Sequence, residues 1–202
     1  MKSNFKSDLN KERLLSNYLD QCYQKHLKHY TFKRSTILED QLNGVDLVLK
    51  HKRTGQIMLI DEKAQLDYLN ENLPTFAFEL YYEKHGEQKT GWLLDANKTT
   101  DFYALVTGIY ADEVDTFTAC NITFVNRKKL IAFLDSRGLS VKKLKSLALS
   151  QPHYHGKMEL ERLNPYTEGY LYFSRKNKSE KPVNLILKLE LLIRMKLGKR
   201  LV

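Results

Sequence analysis

The sequence predicts an α/β protein in which a central mixed β-sheet is flanked by helices. Three observations lead to this fold class. Apolar residues recur at three- and four-residue spacing over residues 8–27, alternating strand patterns separated by turn residues fill most of residues 44–125, and helical spacing returns after Asn126. We therefore expect strands and helices that share one core, with the helices packed on the sheet.

The first element is a helix over residues 8–27. Leu15, Leu19 and Tyr23 are spaced as one face of an amphipathic helix. Glu12 falls three residues before Leu15 and seven before Leu19, so the same spacing places it on the stripe that faces inward. For Glu12 alone, an acid that stabilises the helix N-terminus is the commoner explanation.

Two hairpins follow the helix. Residues 44–50 and 56–64 alternate as strands, and the turn between them contains Gly55. Residues 75–82 and 90–94 predict a second hairpin around a turn that contains His85 and Gly86. Two more strands, predicted at residues 101–110 and 117–125, bring the sheet to at least five or six strands.

The carboxy-terminal part mixes helices and strands. The helix predicted after Asn126 ends at Gly138, and residues 139–149 predict another helix. Residues 169–175 and 182–187 predict a strand pair. The segment from about Leu189 is rich in Leu, Met, Lys, Arg and Glu, which favours a final helix.

The composition points to a single domain over residues 1–202. With 42% hydrophobic residues the chain can bury a core, which excludes a disordered or collagen-like protein. The two cysteines, Cys22 and Cys120, are too few for a disulfide scaffold and too far apart in sequence for a thiolate zinc site, so we expect a cytoplasmic location. The amino terminus lacks the apolar core of a signal peptide, and no apolar run is long enough to span a membrane.

The positive charge is concentrated in one part of the chain. Residues 1–120 carry 15 basic and 18 acidic side chains, whereas residues 121–202 carry 18 basic and 6 acidic ones, a net charge of +12. We therefore expect an acid-bearing sheet core in residues 1–120, a basic helix and strand extension packed on it, and a polyanionic partner, with nucleic acid ahead of a membrane. The candidate nucleic-acid-binding residues are Arg127, Lys128, Lys129, Lys142, Lys143, Lys145, Arg175 and Lys176.

Two aspartates and a lysine are predicted to meet on the first hairpin. Side chains alternate along a strand, so Asp61, Lys63 and Gln65 share one face, and the hairpin brings Asp46 to the same end of the sheet. Such a cluster is costly for a purely structural purpose because each charge loses water. It suits a divalent cation, with Asp46 and Asp61 as oxygen ligands. The alternative is a solvent-facing edge strand with local ion pairs.

Asp46, followed by Asp61-x-Lys63 on the next strand and preceded by a helix that carries Glu12, resembles the PD-(D/E)xK restriction-endonuclease-like nuclease superfamily. That superfamily includes restriction enzymes, archaeal Holliday junction resolvases and phage recombination nucleases. The resemblance covers roughly residues 8–95. It implies a restriction-endonuclease-like core, Mg²⁺ or alternatively Mn²⁺ bound by Asp46, Asp61 and Glu12, and catalytic assistance from Lys63.

The resemblance also assigns further positions and has two departures. Gln65 matches a polar position that many members use, so it joins the candidate catalytic residues. Gly44 and Val45 stand where many members have proline before the aspartate. The family core continues with a helix after the lysine-bearing strand, whereas a second hairpin follows here, and this raises Glu79 as a candidate extra acid.

The predicted function is Mg²⁺-dependent hydrolysis of DNA in recombination, repair or phage DNA processing. Two alternatives stay open: a catalytically inactive nucleic-acid-binding module on the same fold, and a basic protein that binds an acidic protein partner. The sequence also leaves open DNA or RNA as the substrate, and a monomer or a homodimer. It contains no P-loop or dinucleotide-binding glycine pattern.

Two other groups of residues are weaker candidates for a functional site. His153 and His155 could bind zinc from one side of an extended segment, but no third ligand is near in sequence, so a surface loop is expected. Tyr166, Tyr170 and Tyr172 next to basic residues could stack on single-stranded nucleic acid.

Overall fold

A computed structural model describes residues 5–84, 86–113, 116–176 and 179–202, and it has an α+β architecture. The helices are α1 (Phe5–His26), α2 (Leu38–Leu42), α3 (Arg127–Ser136), α4 (Val141–Leu149) and α5 (Leu189–Arg194), with a short 3-10 helix at Leu66–Tyr68. The strands are β1 (Tyr30–Arg34), β2 (Leu47–His51), β3 (Ile57–Ala64), β4 (Thr75–Lys84), β5 (Glu87–Thr90), β6 (Phe102–Glu113), β7 (Thr116–Asn126), β8 (Gly156–Met158), β9 (Gly169–Phe173), β10 (Val183–Lys188) and β11 (Gly198–Arg200).

Six strands form a mixed sheet in the order β1-β2-β3-β6-β7-β11. Its neighbours are antiparallel except for β3 and β6, which are parallel. Parallel neighbours cannot be joined by a tight turn, so the chain leaves this sheet after β3 and returns to it as β6. The segment between them forms the hairpin of β4 and β5.

The other five strands form an antiparallel sheet in the order β5-β4-β10-β9-β8. In this sheet β10 pairs with both β4 and β9, and in the mixed sheet β11 pairs with β7. Strands from the basic carboxy-terminal part therefore complete both sheets.

Two apolar cores hold these layers together. On one face of the mixed sheet, Leu15, Leu19 and Tyr23 of α1 pack against sheet residues that include Leu47 and Ile60. The opposite face packs against the antiparallel sheet and helices α3 and α4, through buried side chains that include Tyr103, Leu105, Phe78, Leu130 and Leu144. Burial of each large apolar side chain contributes about 1.5–3 kcal/mol. The mixed sheet thus lies between α1 and the antiparallel sheet.

The structure confirms most elements that the sequence predicts. The first helix, the first hairpin and the strands β6 and β7 lie where the periodicity places them. The helix that ends before Gly138, the helix at α4, the β9–β10 pair and the final helix from Leu189 are confirmed too.

Two expectations about the sheet are corrected. The return strand of the second hairpin is Glu87–Thr90, whereas residues 91–94 form a turn in which Gly91 packs closely against the Glu79 backbone. His85, in the predicted turn, lies outside the described residues. The strands form two sheets rather than one, because β4 and β5 pair with β10, β9 and β8 and not with the mixed sheet. Within the described residues, no helix is long and apolar enough to cross a membrane.

Candidate active site

The β2–β3 hairpin brings Asp46 next to Asp61. Leu47 pairs with Ile60, so the residue before β2 lies opposite the residue after Ile60. The Asp46 backbone N–H donates to the Ile60 carbonyl at 2.9 Å, and its Oδ2 accepts from the Glu62 backbone N–H at 2.8 Å. These two bonds fix the Asp46 carboxylate, which is partly exposed, against β3.

Asp61 is a buried carboxylate with one unsatisfied oxygen. The residue is 1% exposed; its Oδ1 accepts from Lys63 Nζ, and its Oδ2 has no hydrogen-bond partner among the described residues. Burial raises the pKa of Asp61 to about 6, against the lowering effect of the Lys63 ammonium. The Asp46 carboxylate raises this pKa further, because the two negative charges repel and the protonated form can share its proton with Asp46. The charged form of Asp61 is therefore less favourable in this environment than that of an ordinary exposed aspartate.

Lys63 contacts both Asp61 and the aromatic ring of Trp92. Its side chain is 27% exposed, and Nζ lies 5.5 Å from the centre of the Trp92 ring, within the range of a cation–π contact. The Trp92 ring packs edge-on against Tyr103, with centroids 4.7 Å apart. Lys63 thus has an anionic neighbour and an aromatic neighbour while part of its side chain stays in contact with solvent.

The parallel pairing of β3 and β6 adds Tyr103 and Arg127 to the site. Tyr103 is the register partner of Asp61, so both side chains lie on the same face of the sheet. Arg127 Nε donates to Tyr103 Oη at 3.0 Å, and its Nη2 donates to the Asp95 carbonyl at 2.8 Å. Burial raises the pKa of Tyr103 well above its usual value, so its hydroxyl stays protonated at neutral pH. Sequence periodicity offers no signal for this pairing, because β3 and β6 are far apart in the chain.

Gly44 lets the backbone approach the Asp61 carboxylate. It has a φ of +74°, and a Cβ at this position would lie 2.6 Å from Thr100 Oγ1 and 3.3 Å from Asp61 Oδ2. The Thr100 hydroxyl donates to the Gly44 carbonyl at 2.7 Å. Glycine is required here by both conformation and space.

The side chain of the neighbouring acid, Glu62, lies on the opposite face of the sheet, next to α1. Its Oε1 accepts from the Tyr23 hydroxyl at 2.7 Å, and its Oε2 pairs with Arg34 Nη1 at 2.5 Å. Arg34 also pairs with Asp20 of α1 at 2.8 Å. This network attaches α1 to the mixed sheet, so Glu62 has a structural role.

The structure gives the surroundings of three other predicted site residues, Glu12, Gln65 and Glu79. Glu12 is exposed on α1, in contrast to the inward orientation that its helical spacing predicts. The Gln65 amide donates to the Thr75 carbonyl at 2.9 Å, which ties the end of β3 to the start of β4. Glu79 shares the face of β4 opposite to the buried Phe78, so it points away from Asp61.

The predicted basic residues divide into two groups. Arg127 is engaged inside the site, and the Arg175 guanidinium donates to the Lys181 carbonyl at 3.1 Å, so both have structural partners. The other six candidates have exposed side chains: Lys128, Lys129, Lys142, Lys143, Lys145 and Lys176. Their nucleic-acid-binding role stays a prediction.

The structure also shows the surroundings of the candidate histidines and of two candidate tyrosines. His153 is exposed, and His155 Nδ1 accepts from the Arg175 backbone N–H at 3.1 Å. Tyr166 is 77% exposed and lies with Tyr170 around Lys157, whose Nζ is 5.1 Å and 5.0 Å from their ring centres.

The donor set fits a hard divalent cation that keeps part of its water shell. Two carboxylates lie side by side, and the buried Asp61 Oδ2 has no other partner in the described ranges. Those ranges contain no group of three or more His, Cys, Asp or Glu side chains that could hold a metal ion. Mg²⁺ is commonly held by one or two carboxylates, with water and substrate oxygens completing the shell.

Comparisons with protein-family models, with curated proteins and with solved structures gave no significant match.

Proposed function

We propose that this chain is a Mg²⁺-dependent nuclease that hydrolyses phosphodiester bonds in DNA. The observation that carries the proposal is the buried Asp61 carboxylate, which has one oxygen without a hydrogen-bond partner among the described residues, a second carboxylate beside it and a lysine on its other oxygen. By contrast, the structural carboxylate of Glu62 has both oxygens bonded.

The fold that we propose for the core is restriction-endonuclease-like. Support comes from the order of α1, the antiparallel strands β1, β2 and β3, and then β6 parallel to β3, with the acids and the lysine on β3 and at the start of β2. The crossover from β3 to β6 runs through the β4–β5 hairpin and not through a long helix.

In this proposal Asp46 and Asp61 would hold Mg²⁺, or Mn²⁺ in its place. The bound cation would supply positive charge to the phosphodiester and lower the pKa of water. Lys63 would offset the negative charge that develops on the phosphate oxygens, because its ammonium group lies beside Asp61 and is partly exposed. Trp92 and Tyr103 would limit the rotamers of Lys63 and exclude water from one side of the site.

The exposed lysines would hold the DNA backbone. Lys142, Lys143 and Lys145 project from α4, and Lys128 and Lys129 from the start of α3. Each phosphate that such side chains neutralise releases counterions, so binding should weaken steeply with salt.

A cleavage assay tests the proposal. The protein is incubated with linear and branched DNA in Mg²⁺, beside Lys63→Ala and Asp61→Asn. We expect both variants to lose at least about 100-fold in rate, as for other groups that stabilise charge in a transition state. Lys25→Ala is the matched control, because Lys25 is exposed on α1 across the sheet. Equal cleavage by Lys63→Ala and Lys25→Ala would contradict the proposal.

A binding module without turnover is the second candidate. Its supporting observation is that Lys63 already forms an ion pair with Asp61, so the carboxylate has a positive partner without a metal ion. This candidate predicts salt-dependent DNA binding that survives Asp61→Asn, with no cleavage by the native chain in Mg²⁺ or Mn²⁺.

A further inference from the structure

The face of the mixed sheet opposite to Asp61 carries a cavity of about 740 Å³ beside the carboxy-terminal end of α1. Its floor is formed by Leu49, Met58, Ile60, Phe102 and Phe124. These side chains share one face, because Leu49 pairs with Met58, and Ile60 pairs with Phe102. The volume lies in the range of small-molecule sites in proteins.

Four cationic side chains line the same cavity. They are Lys129 of α3, Lys196 after α5, and Lys199 and Arg200 of β11. All four are exposed, and none of them forms an ion pair with a carboxylate in the described part of the chain. An apolar floor with a cationic rim is complementary to an anion that has an apolar body.

The backbone at Lys196 supports the idea that this rim is a functional feature. Lys196 has a φ of +54° directly after the end of α5, where helices commonly place glycine. The Leu197 N–H donates to the Leu192 carbonyl at 2.9 Å, which holds the chain in this conformation. The left-handed conformation is unfavourable for lysine, because its Cβ crowds the backbone. The chain thus carries a cation on the cavity wall at a position that favours glycine.

The rest of the lining decides the class of ligand. Apart from the cations, its polar side chains are His26, Tyr30 and Asn126. Asn126 Oδ1 already accepts from the Lys129 backbone N–H at 2.8 Å. Among the described residues, the lining has no carboxylate side chain to pair with sugar hydroxyls, so the cavity suits a hydrocarbon chain better than a nucleotide.

We propose that this cavity binds a long-chain carboxylate, with the hydrocarbon on the sheet floor and the carboxylate among Lys129, Lys196, Lys199 and Arg200. This site lies on the other face of the sheet from Asp61 and goes beyond the proposed nuclease function, with Lys129 belonging both to its rim and to the lysines proposed to hold DNA. It therefore stands whether or not Asp61 holds a metal ion.

Titration calorimetry with four probes tests the head and the tail separately. We expect decanoate and laurate to bind, with affinity rising about fourfold for each added methylene. Decyltrimethylammonium, which has a hydrocarbon tail of similar length and a cationic head, should bind at least about tenfold more weakly than decanoate. Acetate, which lacks the tail, should show no binding at the same concentration.

Variants then test whether decanoate binds in this cavity. Lys199→Ala with Arg200→Ala should weaken decanoate binding about tenfold, because it removes two exposed rim charges without touching a core. Lys142→Ala with Lys143→Ala is the matched control, with equal charge loss on α4. Asp61→Asn should bind decanoate as the native chain does. Three results would overturn the proposal. They are no binding of decanoate or laurate, equal binding of the anionic and cationic probes, or an equal loss of decanoate affinity in the Lys199/Arg200 and Lys142/Lys143 double variants.

Discussion

Asp61 and Glu62 are adjacent on β3, yet their environments differ in almost every respect. Glu62 has both oxygens bonded, to Tyr23 and Arg34, and it connects α1 with the sheet. Asp61 faces the other side, where one oxygen accepts from Lys63, the other has no hydrogen-bond partner in the part of the chain that the structure describes, and a second acid lies nearby. The comparison separates a carboxylate that stabilises the fold from one whose environment opposes its charge. Substitutions at the two positions should therefore have opposite effects on stability.

Glu62→Ala should be the most destabilising of these substitutions. It leaves Arg34 without its main partner and Tyr23 with an unsatisfied buried hydroxyl, which costs about 3–5 kcal/mol. Urea denaturation of the native chain and the variant measures the change. A loss below about 1 kcal/mol would show that the network does not stabilise the contact between α1 and the sheet.

Gly44→Ala should cost about 3 kcal/mol in the free energy of unfolding. About 1–2 kcal/mol comes from the left-handed conformation, and the rest comes from the contact with Thr100 and the approach to Asp61. Gly55→Ala is the matched control, since Gly55 has a φ of +71° with no atom within 4 Å of an added Cβ. Equal losses for the two variants would show that the space beside Asp61 is not restricted.

Asp61→Asn should stabilise the protein by about 3 kcal/mol at neutral pH, because the pKa of Asp61 is raised by about two units and each unit corresponds to about 1.4 kcal/mol. The pKa of Asp61 is about 6 in the folded protein and 3.8 as the ordinary value, so the folded state binds this proton more tightly than the unfolded chain does. The contribution of Asp61 to the free energy of unfolding is therefore largest below the ordinary pKa, and it falls as the pH rises between these two values.

Denaturation curves at several pH values check this expectation. The native chain should lose stability from about pH 4 to pH 6, and Asp61→Asn should lack that part of the loss. Saturating Mg²⁺ should restore stability to the native chain above pH 6 and leave the variant unchanged. A variant less stable than the native chain at neutral pH, without metal, would indicate that the Lys63 ion pair outweighs the cost of burial.

These contrasts also show what the sequence can and cannot predict. The hairpin that joins Asp46 to Asp61 follows from strand alternation and the turn at Gly55, which are local signals. Tyr103 and Trp92 reach the site through the parallel β3–β6 pairing and the crossover, which depend on long-range contacts. The short strands β1, β8 and β11 carry too few residues for a clear pattern, and pairing with neighbouring strands defines them. Helical spacing places Glu12 on the apolar face of α1. It does not show that Glu12 is exposed on that face in the folded protein.

Neutralising Lys142, Lys143 and Lys145 to Gln should have the smallest effect on stability, within about 0.5 kcal/mol, because all three are exposed. DNA binding should weaken, and the slope of log affinity against log salt should become shallower by up to about 0.9 for each phosphate that is no longer neutralised. Fluorescence anisotropy with labelled duplex at several salt concentrations measures this slope. An unchanged slope would place the DNA on another surface.

A Mn²⁺ titration that monitors the fluorescence of Trp92 shows whether a divalent cation binds at the Asp46–Asp61 pair. This residue is the single tryptophan of the chain, and its ring centre lies 5.5 Å from Lys63 Nζ. We predict saturable quenching in the native chain and in Glu62→Gln, and its loss in both Asp46→Asn and Asp61→Asn. Quenching that persists in Asp61→Asn, or that is absent from the native chain, would contradict a divalent cation site at the Asp46–Asp61 pair.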